Sequence, residues 1–141
     1  MLQDPDSQVI ASRVGDDVAF GCENLGVSRE ETWRRVRRGL ELVGLDLPLN
    51  HPTAELSGGQ KQRLALAGVL AMGADIIVLD EPTANLDFGN QMRVLQQVRL
   101  LARSGMGIMM TSHAPDHAFF CCSRAAILSP GLPFRVGAGE E

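Results

Sequence analysis

Two carboxylates end an apolar run in the middle of the chain, and their position favours metal and proton chemistry. The run IIVLD ends at Asp80, and Glu81 follows it directly. Such a run is typical of a parallel strand buried on both faces, and ligands bind beyond the carboxyl ends of such strands. Since successive strand residues point to opposite sides, we predict that Asp80 holds Mg²⁺, usually through water. Glu81 is then free to orient a water molecule as general base; a solvated turn is the alternative.

A pair of glycines at the start of a predicted helix forms the second group. The segment LSGGQ contains Ser57, Gly58 and Gly59, and a helical pattern follows to about residue 71. Glycines let a backbone approach a ligand closely, and a helix N-terminus favours phosphate through its free N–H groups and partial positive charge. Ser57 adds a hydroxyl and a candidate N-cap. Taken alone, this pattern favours a well-capped helix over a ligand site.

The elements in the first half of the chain follow from the spacing of its apolar residues. Residues 12–22 have a weak helical pattern, whereas the segment after Ser28 is amphipathic and ends at Gly44. Its start, SREE, matches a capping box with Glu31 in the reciprocal position, and we expect its arginines to form a solvated face. This half is therefore predicted to be mainly helical.

Predicted strands and helices alternate after residue 74. IIVLD, GIMMTS and RAAILS have the character of strands, residues 88–103 have a helical period, and Pro115 suits the first position of a short helix. This alternation predicts parallel strands joined by crossover helices. The tail PGLPFRVGAGEE is predicted to be a loop. The expected fold class is α/β, with a parallel sheet and a helical part beside it.

Composition narrows the classes of function. The 141 residues correspond to one domain or a piece of a larger one, and the net charge of −4 argues against a nucleic-acid partner. The three cysteines have no framework spacing, which indicates a reducing compartment. No signal peptide or membrane span is apparent, so any membrane role is expected to be peripheral.

Five motifs, in order along the chain, resemble those of the ATP-binding-cassette (ABC) ATPases. LSGGQ is similar to their signature motif, IIVLDE to Walker B with its catalytic glutamate, and ANLD to the D-loop. The histidine of MMTSH resembles the switch histidine that senses the γ-phosphate, and the first glutamine of LQDPDSQ resembles the Q-loop glutamine. The resemblance implies catalytic Glu81 and His113, metal-site residues Asp80 and Gln3, and nucleotide-binding Ser57, Gly58, Gly59, Gln60 and Asp87.

The resemblance also implies cofactors and partners. In this family ATP and Mg²⁺ lie between two subunits, so the partners are a second ATPase subunit and a transmembrane transporter subunit at the cytoplasmic face of the membrane. The stretch DVAFGCENLG is similar to the ATPases of energy-coupling-factor importers of vitamins, cobalt or nickel. The implied function is ATP hydrolysis coupled to import of a metal ion or vitamin. SHAPDHAFF is similar to other importer ATPases, so the subfamily stays open.

One family motif has no counterpart in this sequence. The phosphate-binding loop G-x-x-x-x-G-K-[ST] is absent. We therefore interpret residues 1–141 as a partial P-loop NTPase domain: about 10–73 the helical signature subdomain, and about 74–130 the C-terminal part of the catalytic core. The isolated chain is expected to be inactive as an ATPase. Two alternatives stay open: a non-hydrolysing module that lends its signature motif to a complete partner, and a soluble ABC ATPase without a transport role.

A weaker pattern lies just after the second predicted strand. His113 and His117 are four residues apart with Asp116 beside them, which is a spacing that metal ligands can have. We consider the switch-histidine role the better interpretation, because Pro115 starts the helix only after His113.

Overall fold

The computed structural model describes residues 9–128, residue 131 and residues 135–138. Its helices are α1 (Val14–Asn24), α2 (Arg29–Leu42), α3 (Gly58–Ala71), α4 (Phe88–Arg103) and α5 (Pro115–Cys121), with a 3₁₀ turn at Thr53–Glu55. Its strands are β1 (Ile76–Asp80), β2 (Gly107–Thr111), β3 (Arg124–Ile127) and β4 (Arg135–Ala138). None of the helices in this part of the chain is both long and apolar enough to cross a membrane.

The start of α2 confirms the predicted cap but not the predicted capping box. The Ser28 hydroxyl accepts a hydrogen bond from the Glu31 N–H at 3.4 Å. The Glu31 carboxylate does not return the bond, because it binds the guanidinium groups of Arg34 and Arg35, each at 2.7 Å. Hydrogen bonds from Arg34 and then Arg35 lower the pKa of Glu31 to about 2. Charge pairing on the helix surface has replaced the reciprocal cap.

Helices α1, α2 and α3 form one helical layer with a shared apolar core. A Cβ added to Gly39 of α2 would lie 2.8 Å from the Ala67 carbonyl oxygen of α3, so the two backbones cross there in close contact. The residues buried in this layer include Val14, Val18, Cys22, Val36, Leu40, Leu64, Ala67 and Ala71.

Strands β1 and β2 are parallel, as the alternation predicts, and α4 is the crossover between them. Asp80 is in register with Thr111, so the carboxyl ends of the two strands lie side by side. Ile77 and Leu79 are buried, whereas Ile76 and Val78 are 68% and 51% exposed. The prediction that β1 is buried on both faces is therefore wrong for the described residues, because one face of the sheet is covered and the other is open.

The third predicted strand does not join this sheet. β3 pairs with β4 in an antiparallel arrangement, with Ile127 opposite Arg135. β4 lies in the tail that was predicted to be a loop. Antiparallel strands need only a short connection, whereas a parallel strand needs a long crossover. Gly131, with φ of 74°, lies in the connection and supplies a backbone conformation that other residues rarely adopt.

We predict that Gly39→Ala destabilises the protein, because the new methyl group would overlap the Ala67 carbonyl. Overpacking costs roughly 1–3 kcal/mol, which exceeds the gain of about 1 kcal/mol in helix propensity. The matched control is Gly68→Ala in α3, where the nearest atom to an added Cβ is 4.0 Å away. Urea unfolding should show a lower midpoint for the first variant and an unchanged or higher one for the second. Equal midpoints would contradict the close crossing.

Candidate functional site

A threonine hydroxyl connects the two carboxylates at the end of β1 to the end of β2. The Thr111 Oγ donates to Asp80 Oδ1 at 2.6 Å and accepts from the Glu81 backbone N–H at 3.0 Å. Sequence reasoning did not select Thr111. The register that places it opposite Asp80 is the signal that identifies it, and that register is a property of the paired strands.

Glu81 leaves the strand through an unusual backbone conformation. Its φ is 45°, in the left-handed region that is unfavourable for a residue with a side chain, and Asn85 in the same turn has φ of 60°. A conformation of this kind costs of order 1–3 kcal/mol and persists where the surroundings enforce it. Here the Thr111 bond holds the Glu81 amide. The burial pattern of the strand nevertheless continues through this turn, since Asp80 is exposed and Glu81 is buried.

The structure brings together the two residues predicted to be catalytic. His113 Nε2 lies 3.4 Å from Glu81 Oε1. The two side chains differ in environment, since that of His113 is 94% exposed and that of Glu81 is 11% exposed. A shielded carboxylate beside an open imidazole can share a water molecule or a phosphate oxygen between them.

The His117 ring contacts hydroxyl groups of two loops. Its Nδ1 lies 3.2 Å from the hydroxyls of both Thr83 and Ser112. No group of three or more potential metal ligands occurs among the described residues. The structure therefore gives the two histidines different neighbours rather than a common metal ion.

The signature segment forms a complete capping box at the start of α3. Ser57 Oγ accepts from the Gln60 N–H at 3.4 Å, and Gln60 Oε1 accepts from the Ser57 N–H at 2.8 Å. Ser57 is therefore the N-cap, as predicted. The box satisfies the amides of residues 57 and 60, whereas the helix itself has no acceptor for the amides of Gly58 and Gly59.

The two glycines of this segment have different surroundings. A Cβ on Gly59 would lie 2.6 Å from Asn90 Oδ1 and 3.0 Å from Asn90 Cβ, so the approach of α4 requires glycine there. A Cβ on Gly58 would meet only a Leu86 methyl group at 3.7 Å, which is ordinary contact. Gly58 is exposed and its φ is not positive. The described fold therefore gives no reason for glycine at position 58.

Asp87 has a clear role as a helix cap. Its carboxylate accepts from the Asn90 N–H at 3.1 Å and also from the Asn90 side chain. These bonds, the backbone one first, lower the pKa of Asp87. They explain an aspartate at the start of α4 without a ligand.

The candidate residues form two groups on either side of the turn after β1. Asp80, Glu81 and His113 lie at the strand ends, and the signature segment lies beside the Leu86 side chain and the Asn90 side chain of α4. Gln3 lies outside the described residues, so its predicted place in the metal site is an expectation from the resemblance. A hollow of ≈ 470 Å³ at the C-terminal end of α2 contains none of the candidate residues.

Comparison with known proteins identifies the family. Residues 3–84 match the family model described as ABC transporter. The chain belongs to the ABC transporter family. The match contains the signature segment and both strand-end carboxylates, whereas Asp87 and His113 lie beyond it.

Relatives and solved structures of ABC proteins align with most of the chain. It is 39% identical over 141 residues to the energy-coupling factor transporter ATP-binding protein EcfA of Methanocaldococcus jannaschii, covering all of this chain and 50% of the relative. A structure of CbiO1 from Clostridium perfringens, described as part of the ABC transporter complex CbiONQ, is 35% identical with a TM-score of 0.79. That alignment covers 86% of this chain and 49% of the other.

A second structure shows the same fold in a dimer. A dimeric ATP-binding cassette in a post-hydrolysis state, bound to ADP and Pi, matches 99% of this chain and 62% of its own, with 26% identity and a TM-score of 0.77. These similarities confirm the predicted α/β fold with a parallel sheet as part of the ABC ATPase fold. The chain spans about half the length of the curated relatives it matches.

We predict that Thr111→Val lowers the free energy of unfolding by roughly 1–3 kcal/mol, because it removes both hydrogen bonds of the hydroxyl and leaves the Glu81 amide without its acceptor. Thr111→Ser is the matched control, since it keeps the hydroxyl. Urea unfolding followed by circular dichroism measures both. A valine variant as stable as the serine variant would show that the hydroxyl does not hold the Glu81 turn.

Proposed function

We propose that this chain is the C-terminal portion of the ATPase subunit of an ABC importer of the energy-coupling-factor class. In this proposal it couples ATP hydrolysis to the import of a metal ion or vitamin. The observation that carries the proposal is the approach of Glu81 and His113 to 3.4 Å at the ends of two parallel strands. The relatives named as energy-coupling factor ATP-binding proteins support the choice of class.

The strand-end residues have different tasks in the proposed reaction. Glu81 orients the attacking water and accepts its proton, a role suited to a carboxylate shielded from bulk solvent on the edge of an open surface. His113, which is almost fully exposed, contacts the γ-phosphate. Their 3.4 Å separation lets one imidazole contact the same water and phosphate that Glu81 addresses.

Asp80 fits the requirements of a magnesium ligand. Its Oδ1 accepts from Thr111, and its exposure leaves the carboxylate open to a hydrated ion. Mg²⁺ retains water and substrate phosphates as ligands, so one exposed carboxylate is a sufficient side-chain contact for it. The resemblance adds Gln3 to this site. When bound, Mg²⁺ neutralises charge on the β- and γ-phosphates.

The signature segment faces a second ATPase subunit in this proposal. The amides at the start of α3 and the hydroxyl of Ser57 bind the phosphates of the partner's nucleotide, with Gln60 holding the cap and Asp87 lying beside the same interface. Two observations support this. Position 58 is glycine although the fold has room for a side chain, and one similar structure is a dimeric cassette with ADP and Pi.

The proposed assembly places the ATPase pair on a membrane partner. The second partner is a transmembrane transporter subunit, and the location is the cytoplasmic face of the membrane as a peripheral subunit. The similar CbiO1 structure is described as part of a transporter complex, which supports such an arrangement.

We predict that Glu81→Gln slows turnover strongly but does not prevent nucleotide binding. The test protein is the restored chain, in which the N-terminal half of Methanocaldococcus jannaschii EcfA precedes this chain. Loss of one general base lowers kcat by about 10²–10⁴-fold, while ATP and Mg²⁺ still bind and still drive dimerisation. Phosphate release and light scattering measure the two properties. If the parent dimerises on ATP without releasing phosphate, the non-hydrolysing module is the better description.

We predict that Gly58→Asp prevents ATP-driven dimerisation of the restored chain. The new carboxylate would repel the partner's γ-phosphate, and the added Cβ would occupy the place where the backbone approaches it. The affinity of each monomer for ATP should stay within a few-fold, because the monomer's own site is at the strand ends. Asn50→Asp, which adds the same charge at another exposed position, is the control. If the Gly58→Asp variant dimerises at the same ATP concentration as the parent, the signature segment serves only as a helix cap.

A further inference from the structure

The imidazole of His117 joins the two loops that carry Glu81 and His113. Its Nδ1 lies 3.2 Å from the hydroxyl of Thr83, two residues after Glu81. The same nitrogen lies 3.2 Å from the hydroxyl of Ser112, directly before His113. Thr83 is 4% exposed, so the contact lies under the surface of the site. A single ring atom therefore connects the turn after β1 to the loop after β2.

The loop after β2 needs such a connection because the contacts of the His113 side chain do little to fix its position. That side chain is 94% exposed, and its Nε2 lies 3.4 Å from Glu81 Oε1. A single contact made by so exposed a side chain contributes little to holding a geometry. The position of His113 therefore depends on the backbone of residues 112–114, where Ser112 Oγ accepts from the Ala114 N–H at 3.1 Å.

The backbone of His117 is hydrogen-bonded on both sides within the first turns of α5. Its backbone N–H donates to the Ala114 carbonyl at 3.1 Å, and its carbonyl accepts from the Cys121 thiol at 2.8 Å. The ring therefore projects from a hydrogen-bonded turn of the helix. The Thr83 hydroxyl is buried, and a buried hydroxyl without a hydrogen-bond partner is unfavourable; His117 Nδ1 is a partner within reach.

We propose that His117 is a positioning residue, which ties the His113 loop to the Glu81 turn through Thr83 and Ser112 and so sets the separation of the two proposed catalytic groups. The role of this tie in turnover rests on the proposed ATPase function. The tie itself is a property of the described chain and can be tested without nucleotide.

Hydrogen–deuterium exchange of the 141-residue chain tests the tie directly. His117→Leu should speed amide exchange in residues 111–114 by about tenfold, the effect of a coupling of ordinary size. His117→Asn should restore protection, because its Oδ1 can take the place of Nδ1. Thr32→Val is the matched control: it removes another buried threonine hydroxyl, one that donates to the Val27 carbonyl in the helical layer. Unchanged exchange in His117→Leu would overturn the proposal.

Kinetics of the restored chain separate positioning from a purely structural role. His117→Leu and Thr83→Val should each lower kcat by about tenfold, since small misplacements of reacting groups have effects of this size or larger. KM for ATP and the thermal midpoint should stay close to the parent's. The double variant should be no slower than the slower single variant, because both remove one shared contact, and His117→Asn should recover most of the rate.

Different results would contradict the positioning role of His117 and the proposed ATPase function. If kcat of His117→Leu is within twofold of an active parent, or if the two substitutions are additive, His117 does not position the site. A parent without phosphate release would refute the proposed function instead, and the exchange experiment would then decide whether the tie exists.

Discussion

The parallel register of β1 and β2 is the constraint on which the candidate site depends. Because both strands run in the same direction, their carboxyl ends lie at one edge, and the pairing of Asp80 with Thr111 sets which residues meet there. Residues 30 or more positions apart in sequence become neighbours by this pairing alone. A slip of one residue would turn each side chain to the other face of the sheet, separating the carboxylates from the loop that carries His113.

Hydroxyl groups convert that backbone register into a defined site. Thr111 bridges the Asp80 side chain and the Glu81 amide, and the hydroxyls of Thr83 and Ser112 meet at His117. None of the three hydroxyls is a proposed catalytic group. They hold the strained turn of Glu81 and the exposed loop of His113, the two proposed catalytic residues, in one arrangement. The chemistry of the charged residues therefore depends on neutral neighbours that connect the strand ends.

The start of α3 shows how folding and ligand binding can use the same residues. Ser57 and Gln60 satisfy each other in the capping box, and Gly59 makes room for Asn90 of α4. These contacts explain Ser57, Gly59 and Gln60, three of the five motif residues, by folding requirements alone. Gly58 is different, because the fold has space for a side chain there. The proposed approach of a partner's nucleotide would explain why this position is glycine.

Local patterns in the sequence determined the helices, the two parallel strands and the cap of α3, because each depends on neighbours within a few positions. The tertiary structure alone decided what depends on distant residues. β3 took an antiparallel partner from the predicted loop. The open face of β1 and the contacts of Thr111 and His117 likewise follow from register and layer packing, which bring together residues that no short window of sequence contains.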